Sequence, residues 1–179
     1  MRKKKNLSQR EKAWVSEEAI VCENAQIFGN AKISGNAIVC GNAIVCGNAG
    51  VREDATVNEN TWVGENAKVS GNAVVYGNAM VCGNAIIRGK AWVRGDAKID
   101  GNANVSRNAD YLCFKGLGSR NRNTTLFKGK DDIYVSCGCF SGNLDEFEAK
   151  IKETHGKSKL AKEYLACVEV AKIHFDLKR

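Results

Sequence analysis

Five side chains able to bond an anion fall within seven residues: Ser119, Arg120, Arg122, Thr124 and Thr125. Two guanidinium forks and three hydroxyls beside Gly118 suit a phosphate, because charge-assisted bonds from a planar fork are strong and directional. They predict an anionic ligand such as a nucleotide, or an acidic partner, against the competing reading of an ordinary polar turn. Cys137-Gly-Cys139 offers two thiolates that Cys113, Cys167 or His155 would complete into a zinc site. The spacing is C-x-C rather than C-x-x-C, which favours buried structural cysteines. His155 is the one general-base candidate, although a histidine at a helix C-terminus is explained equally by the helix dipole. A phosphate-binding P-loop and a zinc-protease helix are absent from the sequence, and no cofactor is implied.

Most of the chain carries none of this chemistry. From Val15 to Val105, every sixth residue is Val or Ile, sixteen positions in unbroken register. Two residues before each stands alanine, replaced only by Thr61, and a turn pair such as Gly29-Asn30 or Gly83-Asn84 lies between. β-branched residues favour strands, whereas Gly and Asn accept the left-handed backbone of a corner. A period of six keeps no side of a 3.6-residue helix, so the pattern predicts a coil wound as a prism, with the aliphatic residues stacked inside.

At these residues the chain resembles the hexapeptide-repeat, left-handed parallel β-helix family, in the Gly-Asn-Ala variant found in uncharacterised bacterial and phage proteins. The resemblance covers residues 13–111 and implies three faces, 18 residues per coil and about five and a half coils, a rod on the order of 26 Å long. The best-known members are acetyl-CoA-dependent acyltransferases that use a histidine near a loop projecting from the coils. Here the array holds no histidine and no extruded loop, the only histidines being His155 and His174, so the family's catalytic residue has no counterpart. Fold likeness alone does not carry chemistry.

With 18 residues per coil, outward positions fall into three columns. The column through Lys32 and Lys68 is polar, while the other two are apolar and predict a subunit interface through Ile38, Trp62, Val74, Tyr76, Met80 and Trp92. Fold-back of the C-terminal region over one of them is the alternative. Cys22 and Cys40 are stacked neighbours in this register, and Cys46 and Cys82 lie two coils apart with Gly64 between them. With no export signal or membrane span in the sequence, a cytoplasmic chain with free thiols is expected.

After Tyr111 the period stops. Residues 111–114, 125–127 and 133–136 read as short strands, with 116–119 and 130–132 as turns. Asn143 and Glu146 have capping-box spacing for a helix closed by Gly156, and Ser158 caps a second helix bearing Leu160, Tyr164, Cys167, Val168, Ala171 and Phe175. The segments CGCFSGNLDEF and ETHG resemble an accessory domain of hypothetical bacterial and phage proteins, which transfers no activity. The expected plan is mainly β: a basic arm at 1–12, a three-sided left-handed parallel β-helix at 13–111, and an α+β domain at 112–179 with a β-meander and two helices. The net charge is +7, and the first twelve residues carry six basic side chains against Glu11. That arm allows contact with nucleic acid or an acidic partner but has no interleaved aromatics for stacking. The resulting expectation is a homo-oligomeric, non-enzymatic binding or scaffold protein, with acyltransferase as the alternative.

Overall fold

The computed structural model describes residues 12–16 and 18–177, so the basic arm, apart from Lys12, lies outside the described residues. Among them, two-residue strands recur every six positions: β1 (Trp14–Val15), β2 (Ile20–Val21), β3 (Gln26–Ile27), β4 (Lys32–Ile33), β5 (Ile38–Val39), β6 (Ile44–Val45), β7 (Gly50–Val51), β8 (Thr56–Val57), β9 (Trp62–Val63), β10 (Lys68–Val69), β11 (Val74–Val75), β12 (Met80–Val81), β13 (Ile86–Ile87), β14 (Trp92–Val93), β15 (Lys98–Ile99) and β16 (Asn104–Val105). Each pairs in parallel with the strand 18 residues on, as Trp14 does with Lys32, which gives a solenoid of three parallel sheets. The first face is β1-β4-β7-β10-β13-β16, the second runs from β2 to β14, and the third from β3 to β15.

Inside, Val or Ile and Ala from every coil stack into one core, fully buried from Ile33 to Val105 with scarcely an exception. Neighbouring coils bury what one coil alone would expose, so stability accumulates along the stack. Thr61 takes an alanine's place because its hydroxyl donates to Asn58 O at 2.5 Å and to Val75 O at 3.4 Å. Corner asparagines bond from coil to coil, as in Asn24→Asn42→Asn60→Asn78→Asp96. Where glutamate replaces the corner glycine it keeps the left-handed backbone, at φ 55° for Glu23, 62° for Glu53 and 56° for Glu65. Their carboxylates accept from the N–H groups of Gly41, Gly71 and Gly83 at 2.8, 2.6 and 2.7 Å, which offsets the cost of a side chain at positive φ.

Beyond a 3-10 turn at Asn108–Asp110 comes an antiparallel meander, β17 (Tyr111–Leu117), β18 (Arg122–Lys128), β19 (Ile133–Cys137) and β20 (Phe140–Asn143), followed by α1 (Leu144–His155) and α2 (Lys159–His174). The strand Phe140–Asn143 was not expected from sequence, and β17 and β18 run further than expected, into the segments read as turn and loop. Asn143 and Glu146 form the capping box of α1, and Ser158 caps α2.

The meander does not fold back over a solenoid face; it covers the end of the stack. Its residues alternate as a pleated sheet must. Phe127 enters the solenoid core, with Tyr111, Cys113 and Tyr134 packed beside it. Leu126, Ile133 and Val135 face α1 and α2 in a second core. Polar groups finish the junction: Thr125 Oγ1 accepts from Lys98 N at 3.1 Å, and Ser136 and Ser141 donate to the buried Asp100 at 3.5 and 3.2 Å. Asn108 Oδ1 accepts from Trp92 N at 2.8 Å. In the stack below, such N–H groups are taken by carbonyls of the next coil, as Val74 N is by Ala91 O at 2.9 Å. Side chains of the C-terminal region therefore stand in for a missing coil.

Asp110 is a second polar anchor of the junction. It accepts from Ser106 N, Ser106 Oγ and Arg107 N at 2.9, 2.8 and 3.0 Å, with Lys128 Nζ 3.5 Å away. Burial opposes its charge, but these donors outweigh it and hold the carboxyl below its ordinary range.

One pair of cysteines departs from expectation. Cys22 and Cys40 are joined in a disulfide across adjacent coils, whereas Cys46, Cys82, Cys113, Cys137, Cys139 and Cys167 are free thiols. Stacking at 18-residue spacing puts their Cα atoms 4.8 Å apart, within bonding reach.

Candidate functional site

The residues singled out for anion chemistry separate into two groups. Thr124 and Thr125 lie inside β18, fully buried on opposite sides of the sheet, and are not available to a ligand. Strand alternation sends Thr125 to the solenoid end, while Thr124 Oγ1 donates to Cys137 Sγ at 3.1 Å. Ser119, Arg120 and Arg122 instead line a cavity of ≈ 460 Å³ on the helix side of the sheet.

Two glycines shape that cavity. Gly118 has φ 70°, and a Cβ there would strike the Tyr164 hydroxyl; its N–H donates to Glu163 Oε2 at 3.0 Å, which ties the turn to α2. Gly138, at φ 62°, separates the two hairpin cysteines, and a Cβ there would collide with Arg122 Nη1. Arg122 is thus laid against a glycine and half-buried, while Arg120 remains exposed.

α1 contributes Lys150 and His155, and α2 contributes Tyr164; Phe140, Phe147 and Ile151 form the apolar wall. His155 stacks on Tyr164 at 5.7 Å between centroids, and Phe147 meets Tyr164 edge-on at 5.9 Å. Burial, then the neighbouring Cys137 sulfur, pushes the Tyr164 hydroxyl up to about 12, so it stays protonated and serves as a donor. The lining therefore combines cationic side chains with aromatic and apolar ones. Phe147, Ile151 and Tyr164 looked like plain core stripes in the sequence. The readable signal was helical spacing: Phe147, Ile151, Thr154 and His155 recur at three and four residues, so they share a side of α1.

The zinc set is not assembled. Cys113 sits on the solenoid side of the sheet, packed against that core, whereas Cys137 faces the helices. Among the described residues, no three His, Cys, Asp or Glu side chains gather where they could hold a metal.

The apolar columns also divide. Ile38 and Val74 are half-buried on the second face, and Met80 is exposed on the third. Trp62 lies flat over Gly64, where a Cβ would come within 2.5 Å of its ring, and fills the gap between Cys46 and Cys82. Tyr76 and Trp92 stand in a separate cleft beside the meander.

The YdcK beta solenoid repeat matches the chain at residues 25–41, 31–47 and 67–82, all inside the coils. No curated protein matches the chain. Among the described residues, no helix is long and apolar enough to cross a membrane.

Proposed function

We propose that this is a non-enzymatic binding protein in which a rigid solenoid carries an anion-binding domain, and that the ligand is a nucleotide or a similar anion with a flat apolar body. The observation that carries the reading is the convergence of Arg120, Arg122 and Lys150 with Phe140 and Phe147 around one cavity of ≈ 460 Å³. That size lies within the range of small-molecule sites, which pair apolar walls with a few placed polar groups. Ser119 adds a hydroxyl to the lining. Resemblance to the hexapeptide-repeat family supports a left-handed winding and a bacterial or phage source. The exposed Met80 and the half-buried Trp62 of the third solenoid face support assembly with further copies, which sedimentation of Trp62→Glu and Met80→Glu variants would probe.

Calorimetric titration with mono-, di- and cyclic nucleotides is the direct experiment. Binding should weaken about tenfold or more in the Arg120→Ala, Arg122→Ala double variant. It should also weaken in Arg120→Lys, because an ammonium lacks the planar fork. Raising salt should lower affinity through screening. Heat unchanged by the double variant sinks the proposal.

The acyltransferase alternative rests on His155, which lines the same cavity and is the candidate general base there. Acetyl-CoA turnover on a panel of amines, lost in His155→Ala, would favour it over simple binding.

A further inference from the structure

A second cleft, of ≈ 690 Å³, lies where the second solenoid face meets the meander, and it shares no lining residue with the cavity of Arg120 and Arg122. At its centre is Trp92, half exposed at 50% although it belongs to the last strand of its sheet. Its backbone is clamped from both sides: the N–H donates to Asn108 Oδ1 at 2.8 Å, and the carbonyl accepts from Tyr111 Oη at 2.9 Å. The backbone of Trp92 is therefore pinned, and its half-exposed indole lines the cleft as an uncovered apolar surface.

The rim carries polar groups of both signs. Arg94, one coil beyond Tyr76, hydrogen-bonds the Tyr76 hydroxyl, and Glu59 presents a carboxylate on the same side. Lys115 is committed to Asp96 at 2.5 Å, which leaves Arg94, hydrogen-bonded to Tyr76, as the cation among the described rim residues that is not held in an ion pair. An anion would meet Glu59 with only one cation to balance it. An extended peptide would need the backbone edge of Trp92, which Asn108 and Tyr111 already occupy. A wholly apolar ligand would leave carboxylate and guanidinium unpaired.

We propose that this cleft binds a neutral saccharide. A pyranose ring has a flat C–H face to lie on the indole, and hydroxyls around its edge that both donate to Glu59 and accept from Arg94. The cleft's volume of ≈ 690 Å³ lies within the usual range for small-molecule sites.

The experiment titrates the full chain with cellotriose, maltotriose and triacetylchitotriose, followed by calorimetry and saturation-transfer NMR. At least one trisaccharide should bind, and Trp92→Ala should lower its affinity about tenfold or more. Glu59→Gln and Arg94→Met, both on exposed side chains, should each weaken it several-fold while the thermal melt stays that of the parent; they carry the test if Trp92→Ala fails to fold. Adenosine monophosphate should not compete, which separates this cleft from the cavity of Arg120 and Arg122. Absence of binding by all three sugars, equal affinity in the rim variants, competition by the nucleotide, or burial of Trp92 in a dimer seen by sedimentation would each overturn the proposal.

Discussion

The solenoid and the C-terminal domain solve the same problem, covering apolar surface, in opposite ways. In the coils, one solution is repeated, so Val63 and Val81 have equivalent surroundings and the interior is filled throughout by Ala with Val or Ile. In the C-terminal domain the core mixes shapes: Leu126, Phe147, Ile151 and Tyr164 come from three elements, β18, α1 and α2, that meet once. Repetition leaves a filled interior with no space for a ligand. Irregular packing leaves gaps, and both described clefts border the irregular part.

Three substitutions test that contrast, from the largest effect to the smallest. Val63→Asp places a carboxylate in a dry stack with no partner, and should cost at least about 4 kcal/mol. The thermal melt should collapse, and a melt equal to the parent's would refute the inward assignment of the repeat. Phe127→Ala removes the side chain that bridges the two regions and should cost about 3–5 kcal/mol. Denaturant unfolding followed by probes of each region should then split into two transitions, the helices melting first. If a single transition persists, the regions are coupled by the polar junction around Asp100 rather than by Phe127.

Asp110→Asn is the mildest, at about 1–3 kcal/mol, because it weakens charge-assisted bonds without opening a cavity. Its carboxyl is held below the ordinary value in the folded chain. The stabilisation is therefore complete above the unfolded value near about 4 and is lost as pH falls through the folded value. Parent and variant should differ in melting temperature at neutral pH and converge in acid. A constant difference down to strongly acid pH would show that Asp110 acts through shape alone.

How much of this was legible depended on whether the signal was periodic. The Val and Ile column announced itself because six residues of spacing admit one geometry, and the stacking of Cys22 on Cys40 followed from the same register. That they bond was not readable, since the register fixes adjacency and not oxidation. The strand expected over 125–127 begins at Arg122 instead, and nothing local distinguished residues 122–124 from a polar loop, so Thr124 and Thr125 were misplaced among the ligand-bonding side chains. Its pairing with β17 and β19 supplies the missing information from residues far along the chain. The cationic part of the lining was partly readable from Ser119, Arg120 and Arg122. Lys150 and Tyr164 joined it only through tertiary packing of α1 and α2.

The side chains that substitute for a missing coil make the solenoid a ruler. Asn108 and Thr125 engage whichever coil comes last, and their geometry does not depend on how many lie beneath. Coils are therefore interchangeable graduations: adding or removing one 18-residue unit changes the distance between the two ends by about 4.8 Å and leaves every face in phase. Evolution, or a designer, can set how far the cavity of Arg120 and Arg122 stands from the first coil in discrete steps, without altering a residue of the cavity itself.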